Sequence, residues 1–225
     1  MTSEFPGRPR LLKGALVAFE SHFLGPVPNI IVFQYNPEQL SRSLAHRSAP
    51  SDPSSAGGVR EDVLRVQGPP VETINASVEL DAADQLGEPA LHPHVVASGL
   101  HPALSALELL LYPPSAQALQ NKTLAQAGTA QICPADVPLV LFVWRPSRIV
   151  PVQITSFSVT ETAFDQKLNP LQAKVELGMP VLTYVELKES SVGYGAYLAT
   201  QVQKEVLARL NLLNSAGELL GVRPF

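Results

Sequence analysis

The residues of this 225-residue chain best suited to chemistry are three histidines, His92, His94 and His101, with Asp81, Asp84 and Glu88 close by in sequence. A His-x-His pair on a strand would set both imidazoles on one face, an arrangement that suits Zn²⁺. Pro93 between the pair and Pro102 beyond it favour a loop instead, where histidines are commonly just solvated. The three are candidate ligands, and no metal or other cofactor is expected. No serine-centred nucleophile elbow, phosphate-binding glycine loop or paired His/Cys arrangement is present, and Gly193-Tyr-Gly195 is too short and too badly placed for a nucleotide fingerprint. Carboxylates are scattered, with no two singled out, so no catalytic role is expected. Cys133 is the only cysteine. That excludes an intrachain disulfide and an all-cysteine zinc site, and makes a buried, inert thiol its expected state.

Charged residues make up 16% of the chain, below the globular average of about 25%. A low-charge surface fits either a subunit covered in an assembly or a chain that is simply rich in proline and alanine. The net charge of −4 and the lack of a Lys/Arg cluster interleaved with aromatics give no footprint for nucleic acid. Met1–Arg10 lacks the apolar core of a secretion signal, and no apolar stretch approaches the ~20 residues that span a bilayer. A cytoplasmic protein without membrane insertion is expected. Asn75-Ala-Ser77 and Asn121-Lys-Thr123 match the glycosylation pattern, which carries no meaning without secretion.

The elements that must position these residues follow from apolar spacing. Leu11 to Phe19 reads as a first strand behind a flexible tail, 1–10. Gly25-Pro-Val-Pro28 breaks the chain, and Ile30 to Tyr35 reads as a buried strand stopped by Asn36-Pro37. Residues 46–58, rich in Ser, Pro, Gly and Ala, read as a mobile loop. Val71 to Leu80 alternates, with Ile74, Ala76, Val78 and Leu80 inward and Thr73, Asn75, Ser77 and Glu79 outward. After a loop carrying the histidines, Leu100, Leu104, Leu107, Leu110 and Leu111 recur at helical spacing, with Pro102 in the first turn and Tyr112-Pro-Pro114 at the end. Leu139 to Trp144 is apolar throughout and reads as a central strand covered on both faces.

A long hairpin comes next, from Val152 through a loop at 161–170 to Tyr184. Its second arm sets Leu171, Ala173, Val175, Leu177, Met179 and Val181 on one face and Gln172, Lys174 and Glu176 on the other. The first arm changes parity between Ile154 and Phe157, which predicts a bulge or bend; Pro180 predicts an edge position or a kink. Then Leu198, Val202, Val206 and Leu210 step by four, with Ser190 or Ser191 available as N-cap, giving an amphipathic helix of roughly five turns. Its apolar face either closes the domain's own core or docks on a neighbouring subunit. The expected fold is α+β and mainly antiparallel β: a β domain over 11–187 with one packed helix and a long protruding hairpin, followed by a helix and tail over 188–225.

Thr160-Glu-Thr-Ala-Phe-Asp165, Leu168-Asn-Pro-Leu-Gln-Ala-Lys-Val-Glu-Leu177 and Leu182-Thr-Tyr184 resemble the closing hairpin of contractile injection system tube-type and baseplate proteins. Ile31-Val-Phe-Gln-Tyr-Asn-Pro-Glu-Gln-Leu40 is similar to that family's early strand and Asn-Pro turn. The likeness brackets roughly residues 11 to 187. It implies a tail-tube-like barrel or sandwich that forms a homohexameric ring joining the inner-tube protein to the spike hub, with baseplate wedge or sheath components as further partners, inside a phage tail-like particle. Larger relatives continue into a LysM module; here a helix follows the hairpin, so peptidoglycan binding is not carried over and a shortened baseplate adaptor is favoured over a tube initiator or tube subunit. The expected assembly residues are Val152, Ile154, Phe164, Asn169, Pro170, Val175, Leu177 and Met179 of the hairpin, with Leu198, Val202, Val206 and Leu210 of the helix. The competing classes are a stand-alone β-rich ligand-binding module and, behind it, a metal-dependent enzyme using the histidines.

Overall fold

Alternation of inward apolar and outward polar residues builds two four-stranded antiparallel sheets in the computed structural model, which describes residues 12–19, 29–47, 66–113, 115–126 and 137–219. The predicted tail 1–10, the break at Gly25–Pro28, most of the loop 46–58 and Cys133 lie outside these residues. The first sheet has the order β2 (Asn29–Val32), β1 (Ala15–Phe19), β5 (Leu139–Arg145), β6 (Arg148–Val152). The second has the order β3 (Leu40–Ala45), β4 (Val71–Asp81), β8 (Pro170–Pro180), β7 (Ser156–Phe164). The fold is therefore α+β, with antiparallel sheets and a C-terminal helix.

One core lies between the sheets. Leu16 and Ala18 of β1, Val140 and Phe142 of β5, and Val150 and Val152 of β6 meet Ile74, Ala76 and Val78 of β4 and Val175, Leu177 and Met179 of β8 in a single cluster. Register explains the sorting. Leu16 stands opposite Phe142 and Phe142 opposite Val150, while Ala76 stands opposite Leu177 and Val78 opposite Val175, so each row points one way. The alternation expected for Val71–Leu80 and for Leu171–Val181 is observed. Trp144 stacks on Phe142 with ring centroids 5.8 Å apart, closing one end of the apolar layer.

The predicted first arm of the hairpin is two strands in two sheets. Val152 ends β6, and the chain crosses at Gln153–Thr155 to begin β7. The parity change between Ile154 and Phe157 is this change of sheet, not a bulge. At the crossing Val152 bridges Val181, Gln153 N–H donates to Pro180 O at 3.0 Å and Thr155 N–H to Gly178 O at 3.0 Å. The predicted loop at 161–170 contracts to the turn Asp165–Asn169, and the hairpin does not protrude. Its tip lies on the helical segment: Leu100 N–H donates to Pro170 O at 2.9 Å, and Asn169 Nδ2 to Ala97 O at 3.4 Å. Pro180 ends an inner strand instead of marking an edge.

Ile30–Tyr35 also departs from expectation. β2 is an edge strand with Ile30 and Val32 exposed, and only Phe33 just beyond it is deeply buried. A run of β-branched residues does not by itself distinguish an edge from a centre. The histidine segment, expected as a loop, contains α1 (Ala83–Leu86) and α2 (Pro93–Ser98). The leucine stripe forms α3 (His101–Glu108) with Leu100, Leu104, Leu107 and Leu110 buried in the core, as its spacing requires. A fourth helix, α4 (Ser115–Gln126), follows Pro113 and was not expected.

Gly99 connects α2 to α3 with φ +56°, and a Cβ there would meet Pro170 O at 2.5 Å. Both the backbone and the space demand glycine. Gly195, in the last helix, α5 (Val192–Leu219), has no neighbour within 4 Å of a Cβ. Gly99→Ala is expected to destabilise by more than about 1 kcal/mol, and Gly195→Ala to stabilise by about 0.5–1 kcal/mol through helix propensity. Urea unfolding of the two variants checks the opposite signs.

Candidate assembly edges, polar groove and charged corner

The sandwich fixes three features that can act on other molecules. The first is a pair of open edges. Among the described residues β3 pairs only with β4, and β7 only with β8, so the outer backbone edges of the second sheet carry no partner strand. Side chains of β3 and β7 are mostly exposed, with Arg42 and Glu161 their only charges. Nine residues of β7 therefore present an edge almost free of the charges that usually protect one.

The second feature is the outward face of this same sheet. Ser41, Asn75, Gly178 and Ser156 form one cross-strand row, and Ser77, Glu176 and Ser158 the next. Short hydroxyl side chains leave a depression of about 490 Å³ here. A second of about 530 Å³ lies over Thr160, Thr162 and Lys174, and a third of about 240 Å³ shares Gln39 and Ser77 with the first and Tyr35, Glu79 and Lys174 with the second. The three make one shallow groove of mixed polar and apolar lining, bordered by Tyr35–Gln39. At its floor a Cβ on Gly178 would stand 2.0 Å from Ser156 Oγ, so a larger residue there requires the serine hydroxyl to turn away. Ser77 Oγ is buried there without a protein partner. The lining offers hydrogen bonds and no pairing of nucleophile with base.

The border is set by side-chain amides. Asn36 Oδ1 accepts from Gly14 N–H at 2.9 Å and its Nδ2 donates to Leu12 O at 2.8 Å, pinning the entry to β1. Gln34 makes both backbone hydrogen bonds to Asp81, at 2.6 and 3.0 Å, tying the end of β2 to the end of β4. Tyr35 Oη donates to Asp84 at 2.9 Å, and that bond raises the phenol above its ordinary value. The Asp84 carboxylate is thus engaged by Tyr35, and that of Asp81 accepts from Gln172 Nε2 at 2.9 Å and Ala83 N–H at 2.7 Å. The His92 and His94 rings stand 6.0 Å apart edge-on, while His101 is exposed at the start of α3. Among the described residues no group of three or more His, Cys, Asp or Glu side chains could hold a metal ion.

The third feature is the C-terminal helix and the corner beneath it. Ser191 caps α5, its Oγ accepting from Tyr194 N–H at 3.2 Å. Gly193, Tyr197, Thr200 and Lys204 form the docked side: a Cβ on Gly193 would be 3.1 Å from Leu139, and Thr200 Oγ1 donates to Ile149 O at 2.8 Å. The predicted stripe is on the opposite side at 100° per residue. Leu198, Val202, Val206 and Leu210 are 41–58% exposed, so they do not close the domain's core. Lys204 reaches Glu72, a carboxylate only 5% exposed that also pairs with Arg42 at 3.0 Å.

The other expected assembly residues divide in two. Val152, Ile154, Val175, Leu177 and Met179 are buried in the core of the single chain and offer no side-chain surface to a second copy. Pro170 is buried, Asn169 is held in the hairpin turn and Phe164 is exposed. Spacing revealed which residues share a face but not which faces stay open. Nothing in the sequence singles out Glu72 or Gln34, Asn36 reads there only as a strand stop, and only the outward polar residues of the alternation point to the groove. No protein-family model matches the chain, and no curated protein does. Among the described residues no helix is long and apolar enough to cross a membrane.

The tip of the hairpin has a titratable lock. Asp165 accepts from the Asn169 side-chain amide at 2.8 Å, from Asn169 N–H at 2.8 Å and from Lys167 N–H at 2.7 Å. These bonds, Asn169's amide first, hold its carboxyl below the ordinary range. A depressed folded pKa means the contribution is present above the unfolded value of about 3.9 and is lost as pH falls through the folded one. Carboxyl NMR titration is expected to give Asp165 a midpoint below about 3.9, with the tip loosening only under that pH. Asn169→Ala removes the side-chain amide and should raise the midpoint toward the ordinary value, while the two backbone donors remain.

Proposed function

We propose that the chain is a structural subunit of a contractile injection system, a baseplate adaptor or tube initiator that forms a sixfold ring between the inner-tube protein and the spike hub. The likeness of the Ile31–Leu40 and Thr160–Leu177 segments to that family supports the reading. One observation carries it. The sheet β3-β4-β8-β7 has an even number of antiparallel strands, so its two open edges run in opposite directions. A copy rotated about an axis parallel to the strands keeps its strand directions and brings its β3 antiparallel to the first copy's β7. Repetition joins the sheets into a closed, tube-like barrel, and closure removes every such edge.

In this arrangement the core holds each subunit together and the edges hold the ring. The hydroxyl-rich outward face, with Gln172, Lys174 and Glu176, would line the lumen or meet solvent. The exposed stripe of α5 is then available to wedge or sheath components. The subunit would act in the cytoplasm, within an assembled phage tail-like particle. A stand-alone ligand-binding module is less well served, because the depressions are shallow and open.

Edge lysines test the ring without touching the core; Leu177→Asp would not serve, since Leu177 is buried inside the subunit. The wild-type chain, produced with its inner-tube and spike-hub neighbours, is expected to give a sixfold ring by solution mass and particle imaging. Ser43→Lys combined with Thr160→Lys should abolish that ring while changing the stability of the isolated chain by no more than about 0.5 kcal/mol per exposed site. A stable wild-type monomer absent from tail-like particles would reject the reading. Rings indifferent to the lysines would reject edge pairing.

A further inference from the structure

Four side chains converge where α5 meets both sheets, Arg42 from β3, Glu72 from β4, Arg148 from β6 and Lys204 from α5, and Gln203 precedes Lys204 on the helix. Their polar groups do not balance. Glu72 is used twice, by Arg42 Nε at 3.0 Å and Lys204 Nζ at 3.1 Å. Among the described residues Arg148 has no carboxylate of its own, and its Nη2 is buried without an acceptor, while Gln203 Oε1 is buried without a donor. The bond from Thr200 Oγ1 to Ile149 O docks α5 on β6 one residue along from Arg148, and Gln203 and Lys204 lie on the next turn of the helix. Three cations share one carboxylate. Burial lowers the Arg148 guanidinium from its ordinary value, the charge of Arg42 adds to this, and Glu72 opposes it.

We propose that this corner binds a small oxyanion of the phosphate or sulfate class, held by Arg148 with Arg42, Lys204 and Gln203. A buried guanidinium N–H without an acceptor is costly, and an oxyanion supplies the acceptor and offsets the excess positive charge together. The planar fork of Arg148 matches an oxyanion better than a spherical halide. The side chains of Arg42 and Lys204 are 39% and 38% exposed, so the mouth of the corner opens to solvent over a buried floor. With its amide turned by 180°, the buried end of Gln203 would be a donor one residue from Lys204 on the helix. The Glu72 carboxylate stands nearby, with each oxygen already engaged by a cation. Nothing here continues as a track of cations, so a single compact anion fits better than a polyanion.

The test uses the purified full chain in inorganic phosphate, in sulfate and in sodium chloride of matched ionic strength. Melting temperature is expected to rise saturably with phosphate or sulfate and not with chloride, with binding confirmed by calorimetric titration. Arg148→Met should weaken phosphate binding about tenfold or more, as loss of a charged hydrogen bond implies. In chloride alone that variant should melt at the wild-type temperature or above, because the unpaired cation is gone; a merely structural arginine would instead lower it. Lys188→Met, at an exposed position outside the corner, should keep the full response. Should Arg148→Met fail to fold, Gln203→Leu keeps every charge and should still weaken binding. No rise beyond chloride in the wild type would overturn the site. So would a rise that survives Arg148→Met, or Gln203→Leu where that variant stands in.

Discussion

The passage of one strand from sheet to sheet at Gln153–Thr155 is the constraint on which the rest of the structure depends. Val152 still belongs to the first sheet, yet it bridges Val181, and Thr155 N–H already bonds to the second sheet at Gly178. The two sheets are thereby held together at one corner by backbone hydrogen bonds, and Gln34 ties them again through both backbone groups of Asp81. Between these ties the inward rows meet and expel water, which supplies most of the favourable free energy of such a fold. The crossing also determines which way β7 faces: its alternation restarts in the second sheet, with Phe157 and Val159 turned to the core and Ser156, Ser158 and Thr160 turned to the groove.

Against this apolar frame the buried carboxylate of Glu72 is a local exception. A lone ionised carboxylate on the inner side of a sheet would be strongly disfavoured, so its position requires the cations that surround it. Those cations come from β3 and α5, elements distant in sequence, so Glu72 orients the C-terminal helix as well as being stabilised by it. The small residue Gly193, the bond from Thr200 and the ion pair of Lys204 fix the placement of α5 at successive turns.

Much of this was legible in the sequence, and the failures share one cause. Alternation in Val71–Leu80 and Leu171–Val181, the leucine spacing of Leu100–Leu110 and the middle of the apolar run Leu139–Trp144, where Val140, Leu141 and Phe142 are buried and the ends half-buried, identified core residues, because burial is what selects them. Partnership left no comparable trace. Ile30 and Val32 look like buried residues but sit on an edge, and Leu198, Val202, Val206 and Leu210 look like a core stripe but face away from the body. The helix docks through Gly193, Tyr197 and Thr200, a side that no hydrophobicity pattern would select. α4 went unread because Ser115–Gln126 has no apolar period, and Glu72 because its counter-charges are brought to it only by folding.

The alternation that builds the core also separates it from the groove. On β4, β7 and β8 each inward residue is followed by an outward one, so the same strands carry the packing and the polar face on different atoms. Exchanges among the hydroxyl residues at 156, 158, 160 and 162 therefore leave the core contacts intact, and the chemistry of that face can change without cost to the fold. The edges have no such independence. The backbone that β7 presents outward is the continuation of the backbone that bonds it to β8, so whatever pairs with it adds to the sheet and shares its twist. A partner at the edge is thus coupled to the shape of the groove beside it, whereas a partner on the exposed side of α5 reaches the sheets only through the Lys204–Glu72 contact.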